Sequence, residues 1–128
     1  MTFDVKVTIN GTEYDAVACG FGFMRNTDEK GAPSSHITEL RVRLKIKATE
    51  DTGLLEAAFT ESKPLDGKYV SMKGDEQAKM REVEFEHAYI IKYDEDFERG
   101  GDMPMTIACE LTAKKVSCGN AVYEAVWT

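Results

Sequence analysis

Phe3-Asp4-Val5-Lys6-Val7-Thr8-Ile9-Asn10-Gly11-Thr12 is the stretch that sets the fold class. Phe3, Val5, Val7 and Ile9 alternate with Asp4, Lys6 and Thr8, the two-residue period of a strand with one face in a core and the other in water. Asn10-Gly11 then supplies two residues that tolerate positive φ, as both central positions of a type I′ turn require. A strand that ends this way folds straight back, so the chain opens as an antiparallel hairpin.

The same period continues along the chain. The return strand runs from about Thr12 to Met24, with Val17, Cys19, Phe21 and Phe23 on one face and Ala16, Ala18, Gly20 and Gly22 on the other. Glycine within a strand marks a bulge, a bend or a close backbone approach, so strong curvature is expected there. Residues 25–36 are polar and read as a long surface loop. Residues 37–48 form the cleanest strand, in which Leu40, Val42, Leu44 and Ile46 alternate with Arg41, Arg43, Lys45 and Lys47. A single helix is expected, capped by Asp51, with Leu55, Ala58 and Phe59 on its inner face and an end before Pro64. A short strand over 68–73 follows, then a long one from about Met80 to Tyr93 with Val83, Phe85, His87, Tyr89, Ile91 and Tyr93 on one face. An acidic loop over 94–102 leads to a strand from Met105 to Ala113, and a turn at Gly119-Asn120 precedes a last strand over 121–127. The sum is a mainly β chain, a β-barrel or a sandwich of seven or eight strands with one short inserted α-helix.

The totals bound the function. A chain of 128 residues fits one domain, here taken as 1–128. Acids outnumber bases 23 to 16, which disfavours nucleic acid and anionic membrane surfaces as partners, since both are bound through clustered Lys and Arg. Cys19, Cys109 and Cys118 are odd in number and form no CxxC pair, the pattern of reduced buried thiols. The first residues lack a basic segment followed by an apolar one, and no stretch approaches a membrane span, so a soluble cytoplasmic chain is expected.

No catalytic or cofactor constellation emerges. His36 falls in a loop and His87 in mid-strand, neither in a nucleophile or zinc motif. Asp94, Asp96 and Glu98 imitate the opening of a calcium loop, but Arg99 stands where glycine is needed and Met105 where glutamate is needed. Gly20-Phe21-Gly22 is too short for a dinucleotide fingerprint and lies inside a strand. The expectation is therefore no catalytic residue, no metal and no cofactor.

Charge patterning is more informative. Arg41, Arg43, Lys45 and Lys47 make a four-cation stripe on one strand face, and Glu82, Glu84 and Glu86 a three-anion stripe on another. Like charges at this spacing repel, so each stripe needs opposite charge nearby, within one sheet or across a subunit boundary. Ala88-Tyr89-Ile90-Ile91 is apolar on both strand faces and needs cover outside the barrel, from the helix or from a neighbouring subunit.

Several segments together resemble the Hcp (TssD) family of type VI secretion tube proteins, in its short, Bacteroidetes-like form. They are the opening hairpin through Gly31-Ala32-Pro33-Ser34-Ser35, then Asp51-Thr52-Gly53-Leu54-Leu55-Glu56 and Asp75-Glu76-Gln77-Ala78-Lys79-Met80. Ala88-Tyr89 with Tyr93, and Pro104-Met105-Thr106-Ile107 on to Trp127, complete the set. The resemblance spans the chain in order, and its specificity lies in that order rather than in one motif. It implies a two-sheet β-barrel with one helix, homohexameric rings that stack into a hollow tube, and a lumen that carries small effector proteins. Sheath, baseplate and spike components are the further partners it implies, with assembly in the cytoplasm and export through the type VI apparatus. It also implies that the loop after the opening hairpin, here Asn26, Thr27, Asp28, Glu29, Lys30, Pro33, Ser34 and Ser35, reaches towards the next ring.

Two alternatives stand beside this reading. One is the tail-tube protein of a phage or another contractile injection particle, which shares the fold. The other is a monomeric ligand-binding β-barrel, which needs an open apolar interior, whereas Phe21, Phe23, Leu44, Phe85 and Trp127 suffice to fill one.

Overall fold

Both residues of the Asn10-Gly11 turn adopt positive φ, 49° and 87°, joining β1 (Phe3–Ile9) to β2 (Thr12–Met24). The structure, a computed structural model, describes residues 3–33, 37–60, 63–73, 78–100 and 105–125. Five further strands follow: β3 (Thr38–Lys47), β4 (Leu65–Lys73), β5 (Ala78–Phe97), β6 (Met105–Cys118) and β7 (Ala121–Glu124). One helix, α1 (Gly53–Phe59), lies between β3 and β4. Neighbouring strands pair antiparallel in the order β3-β2-β1-β4-β5-β6-β7, and β3 also pairs with β6. Six strands thus close a barrel, and β7 extends the outer side of β6.

Closure depends on strands that change partner along their length. β2 pairs with β1 through residues 12–15 and with β3 through 16–24, with a register shift at Ala16/Ala18. The bend expected from the small residues of β2 is this bulge, since an extra residue on one strand kinks it and raises its twist. β6 likewise pairs with β3 over residues 106–111 and with β7 over 115–118. The result is two antiparallel sheets that share β2, β5 and β6.

β5 is longer than its sequence pattern suggested and does not keep one parity. The inward set is Val83 and Phe85, then Ala88. His87 takes φ 52° and is exposed, where β5 also shifts register against β4. β6 changes parity at the same level, from Ala113 to Val116, so the two strands bend together. The single face expected for His87, Tyr89 and Ile91 is therefore wrong beyond Phe85. Asp66 secures the bend: its Oδ1 accepts the His87 N–H at 2.9 Å, while its own N–H donates to Asn10 Oδ1 at 3.1 Å. The first hairpin turn and the β5 bend are thereby tied through one residue. Residues 94–97, expected in a loop, continue β5, because each faces a β6 partner from Ala108 to Met105.

Phe85, Leu44, Ile46, Leu65 and Leu111 are the largest fully buried side chains. Of the other expected core residues, Phe21 is half-buried and packs against this core, Phe23 is 52% exposed, and Trp127 lies outside the described residues. The helix is also rotated from expectation. Leu54 is its buried residue and Phe59 is 77% exposed, so the inner face is not Leu55, Ala58 and Phe59. The N-cap is Thr52, and Asp51 acts one position earlier, its Oδ1 accepting the Gly53 N–H at 3.0 Å and its Oδ2 the Tyr14 hydroxyl at 3.5 Å.

Candidate functional site

The outer wall over β2, β3, β6 and the second half of β5 is built from four registered rows. Gly20 sits opposite Arg43, Arg43 opposite Glu110, and Glu110 opposite Lys92. One row down, Ala18, Lys45, Ala108 and Asp94 align; below that, Lys47, Thr106 and Asp96. Gly22 faces Arg41 above them. The face is therefore corrugated. Small residues of β2 make one trough, the β3 cations a ridge, Thr106 and Ala108 a second trough, and Lys92, Asp94 and Asp96 a second ridge.

The groove on this face has a volume of about 380 Å³ and is bordered by Arg43, Lys45, Lys92, Asp94 and Glu110. Arg43 lies back over the glycines of β2, so the face that looked bare in sequence is partly roofed by a guanidinium. Arg41 approaches Glu110 at 3.8 Å. Arg43, Lys45, Lys47, Lys92, Asp94 and Asp96 form no ion pair among the described residues.

The anion stripe occupies a different wall. Glu82, Glu84 and Glu86 project from the first half of β5, between β4 and the end of β6. Glu84 faces Lys68 and Glu86 faces Lys115, and Lys68 Nζ lies 3.3 Å from Glu82. β6 separates this stripe from the cations of β3, and the two stand at different heights along it. They do not meet within the chain. The sequence shows two stripes but not which strand runs between them. The second-ridge residues Lys92, Asp94 and Asp96 were missed as partners of the cation face for that reason. The available signal was the run of small outward residues, Thr106 and Ala108, opposite the cations.

The polar loop holds a defined shape at its tip. Thr27 and Pro33 bridge across it, and Asp28 accepts the N–H groups of Lys30 at 2.9 Å and Ala32 at 3.0 Å. Asn26, Thr27, Asp28, Glu29, Lys30 and Pro33 are all exposed, while Ser34 and Ser35 lie outside the described residues. The segment from Ala88 to Ile91 is covered only in part: α1 packs along β5, Ala88 is buried, and Ile91 remains half-exposed.

Titratable groups of the inner wall are held neutral. Burial pushes the Cys19 and Cys109 thiols up to about 12, and the Tyr69 phenol likewise to about 12. A thiol so raised is a poor nucleophile at neutral pH, because the thiolate is the reactive form. Among the described residues no group of three His, Cys, Asp or Glu side chains converges as a metal site requires, and no helix is long and apolar enough to cross a membrane.

A family model described as hemolysin coregulated protein Hcp (TssD) matches residues 1–128. Hcp1 from Flavobacterium johnsoniae is 26% identical and superposes with a TM-score of 0.88, over 95% of this chain and 99% of that one. Hcp1 from Salmonella typhimurium is 12% identical, with a TM-score of 0.77 over 97% and 95% of the two chains. The sheath/tube terminator of the extracellular contractile injection system PVC is 9% identical, with a TM-score of 0.59 over 89% and 91%. The last two carry the fold alone. No curated protein matches in sequence.

Proposed function

The chain belongs to the Hcp (TssD) family, and on that premise we propose that it works by assembling into homohexameric rings through its outer wall, the rings stacking into the inner tube of a type VI secretion system. It is a tube subunit, and its family is one of structural proteins rather than enzymes. The match across residues 1–128 is the observation that carries this reading. Injection-particle tube proteins share the barrel, but the likeness to them is below the Flavobacterium johnsoniae match in both identity and TM-score. A monomeric ligand-binding barrel is disfavoured because Phe85, Leu44, Ile46 and Leu111 fill the interior.

Two features support assembly between copies. Among the described residues the cation ridge is without ion pairs at Arg43, Lys45 and Lys47, and its sequence counterpart, the Glu82, Glu84 and Glu86 stripe, lies on another wall. Complementary patches at different places on one subunit make a head-to-tail contact, and such contacts close into rings when the rotation allows. Exposed pairs contribute only about 0–1 kcal/mol each, so these charges set register and partner choice, while apolar and backbone contacts hold the ring. The loop from Asn26 to Pro33 contacts the next ring. The lumen carries effector proteins, and sheath, baseplate and spike components are the remaining partners; the tube assembles in the cytoplasm and is secreted.

The test is the native mass. Purified protein is expected near six times the 14.3 kDa subunit, as rings in electron micrographs. A monomer that persists at high concentration overturns the proposal. Arg43→Glu with Lys45→Glu should weaken the ring, and adding Glu84→Lys with Glu86→Lys should restore part of it. Rings unaffected by the first pair would remove the charge contact from the account while leaving the assembly.

A further inference from the structure

Apart from Ile91 in the middle of β5, the exposed large hydrophobic side chains among the described residues gather towards the two ends of the barrel. The register of the strands defines those ends. Lys73 faces Ala78 and Val83 faces Cys118, which puts the end of β4, the start of β5 and the β6–β7 turn at one end. Met24 faces Thr38 at that same end, since β3 runs from there down to Lys47 opposite Thr106. The other end holds the Asn10-Gly11 turn, α1 and the end of the β5–β6 pairing, where Phe97 faces Met105. Phe23, Met24, Met80 and Val122 are exposed at the first end, and Phe59 and Phe97 at the second.

The two ends differ in shape. At the first, Phe21 and Phe23 of β2, Leu40 of β3, Val116 of β6, and Val122 and Tyr123 of β7 wall a groove of about 150 Å³. Among the described residues its lining carries no charged side chain. An apolar cavity of about 150 Å³ admits a benzene ring. At the second end, Phe97 is 75% exposed at the end of β5, on a strand still paired with β6 through Met105. Asp96 and Glu98 flank it in sequence, while Arg25 follows the β2 residues that wall the groove. One aromatic ring therefore matches the groove in size, and the acidic residues beside Phe97 have an exposed cation, Arg25, two residues beyond Phe23 of the groove.

We propose that Phe97 of one copy inserts into the groove between β2 and β7 of a second copy, as the apolar lock between successive rings. This rests on the reading of the chain as a stacking tube subunit and deepens it by naming the axial contact. A knob at one end and a hole at the other cannot satisfy each other within one molecule. The contact is heterologous, and repeated along an axis it gives an open-ended stack, as a tube requires. Phe59, equally exposed on α1 and at the same end as Phe97, is the internal contrast, because it sits on a short helix rather than on the paired β5 and β6 strands.

The experiment compares the full-length protein with Phe97→Asp, Val122→Asp and Phe59→Asp, scoring ring mass by sedimentation and stack length by electron microscopy. Phe97→Asp and Val122→Asp should each leave six-subunit rings intact and lower the population of stacked rings by about tenfold or more, the scale expected when a buried aromatic contact is lost. Phe59→Asp should stack as the unaltered protein does. Cysteines introduced together at Phe97 and Val122 should give disulfide-linked ladders longer than either single replacement gives. Rings of Phe97→Asp that stack normally overturn this proposal and leave the tube reading standing. An unaltered protein that forms no rings overturns the tube reading itself.

Discussion

Gly67 and the Gly20–Gly22 pair all interrupt strands of the same barrel, yet a methyl group added at them would meet opposite surroundings. At Gly67 it would come within 2.6 Å of the Thr8 carbonyl oxygen and 2.7 Å of Phe85 Cζ, where neither backbone nor ring can retreat. At Gly20 its nearest neighbour is Arg43 Nη2 at 3.3 Å, and at Gly22 Arg43 Nη1 at 3.5 Å, the far end of a long exposed side chain. Gly67 belongs to the inner wall, where β1, β4 and β5 cross closely enough to exclude a Cβ. The β2 glycines belong to the outer wall, where low relief lets a charged chain lie flat and swing away. The inside is specified by volume and the outside by what lies over it.

The inner wall should show the largest effects. Phe85 is fully buried, and Phe85→Ala is expected to cost about 3–5 kcal/mol in unfolding free energy, read from denaturant or thermal midpoints. Gly67→Ala is next, at about 1–3 kcal/mol from overpacking. The double variant should cost less than the two changes added, because removing the ring relieves one of the two clashes and leaves only Thr8. Strict additivity would mean that Gly67 and Phe85 do not share space, and the contrast between the two glycine sites would lose its basis.

The contrast also explains what the sequence could show. Alternation in Val5–Ile9 and Leu40–Lys47 reports which side chains face inwards, so the strands, the hairpin turn and most of the core were legible. Phe23 and Phe59 were misplaced because hydrophobicity gives no sign of position along a strand or helix, and both stand near its end. His87 broke the alternation of β5 without altering its composition, since a residue at positive φ leaves no mark in a hydropathy pattern. The partners of the cation ridge were hidden for a topological reason: only the register of β6 against β3 and β5 brings Lys92, Asp94 and Asp96 beside it.

Proton linkage separates the same two walls. Cys19, Cys109 and Tyr69 have folded-state values raised to about 12, from ordinary values of 9.0 for the thiols and 10.0 for the phenol. A raised value means that the folded state disfavours the ionised form. The stability they contribute is complete below about pH 9 and drains away as the pH rises towards 12. On the outer wall the hydrogen bond and charge of Lys6, 2.8 Å away, hold Asp15 below the usual carboxylate range. Its contribution is present above that range and is lost as the pH falls through the depressed value. Chemical denaturation across pH should therefore show a deep alkaline limb that shrinks in Cys109→Ala, and a shallow acid limb that shrinks in Lys6→Met. A deeper acid limb than alkaline one would break the assignment of the two limbs to outside and inside.

The smallest expected effect is at Gly20, and it tests the outer wall most directly. Gly20→Ala should change the stability of the isolated subunit by no more than about 0.5 kcal/mol, since the Arg43 guanidinium can shift by a few tenths of an ångström and alanine lowers the backbone entropy of the unfolded chain. If instead the change costs as much as Gly67→Ala, Arg43 is fixed over β2 and the groove beside Ala108 is part of the subunit's own packing. If stability holds while ring mass falls, the added methyl group has met a second molecule rather than the chain's own arginine. That outcome places the low face of β2 in the contact between copies. A neutral result in both measurements confines the contact to the β3 ridge and the strands beyond it, where the charges of Arg43 and Lys45 stand clear of the trough. Read with the Arg43→Glu, Lys45→Glu pair, one methyl group thus separates a ridge that selects the neighbouring subunit from a surface that the neighbour covers.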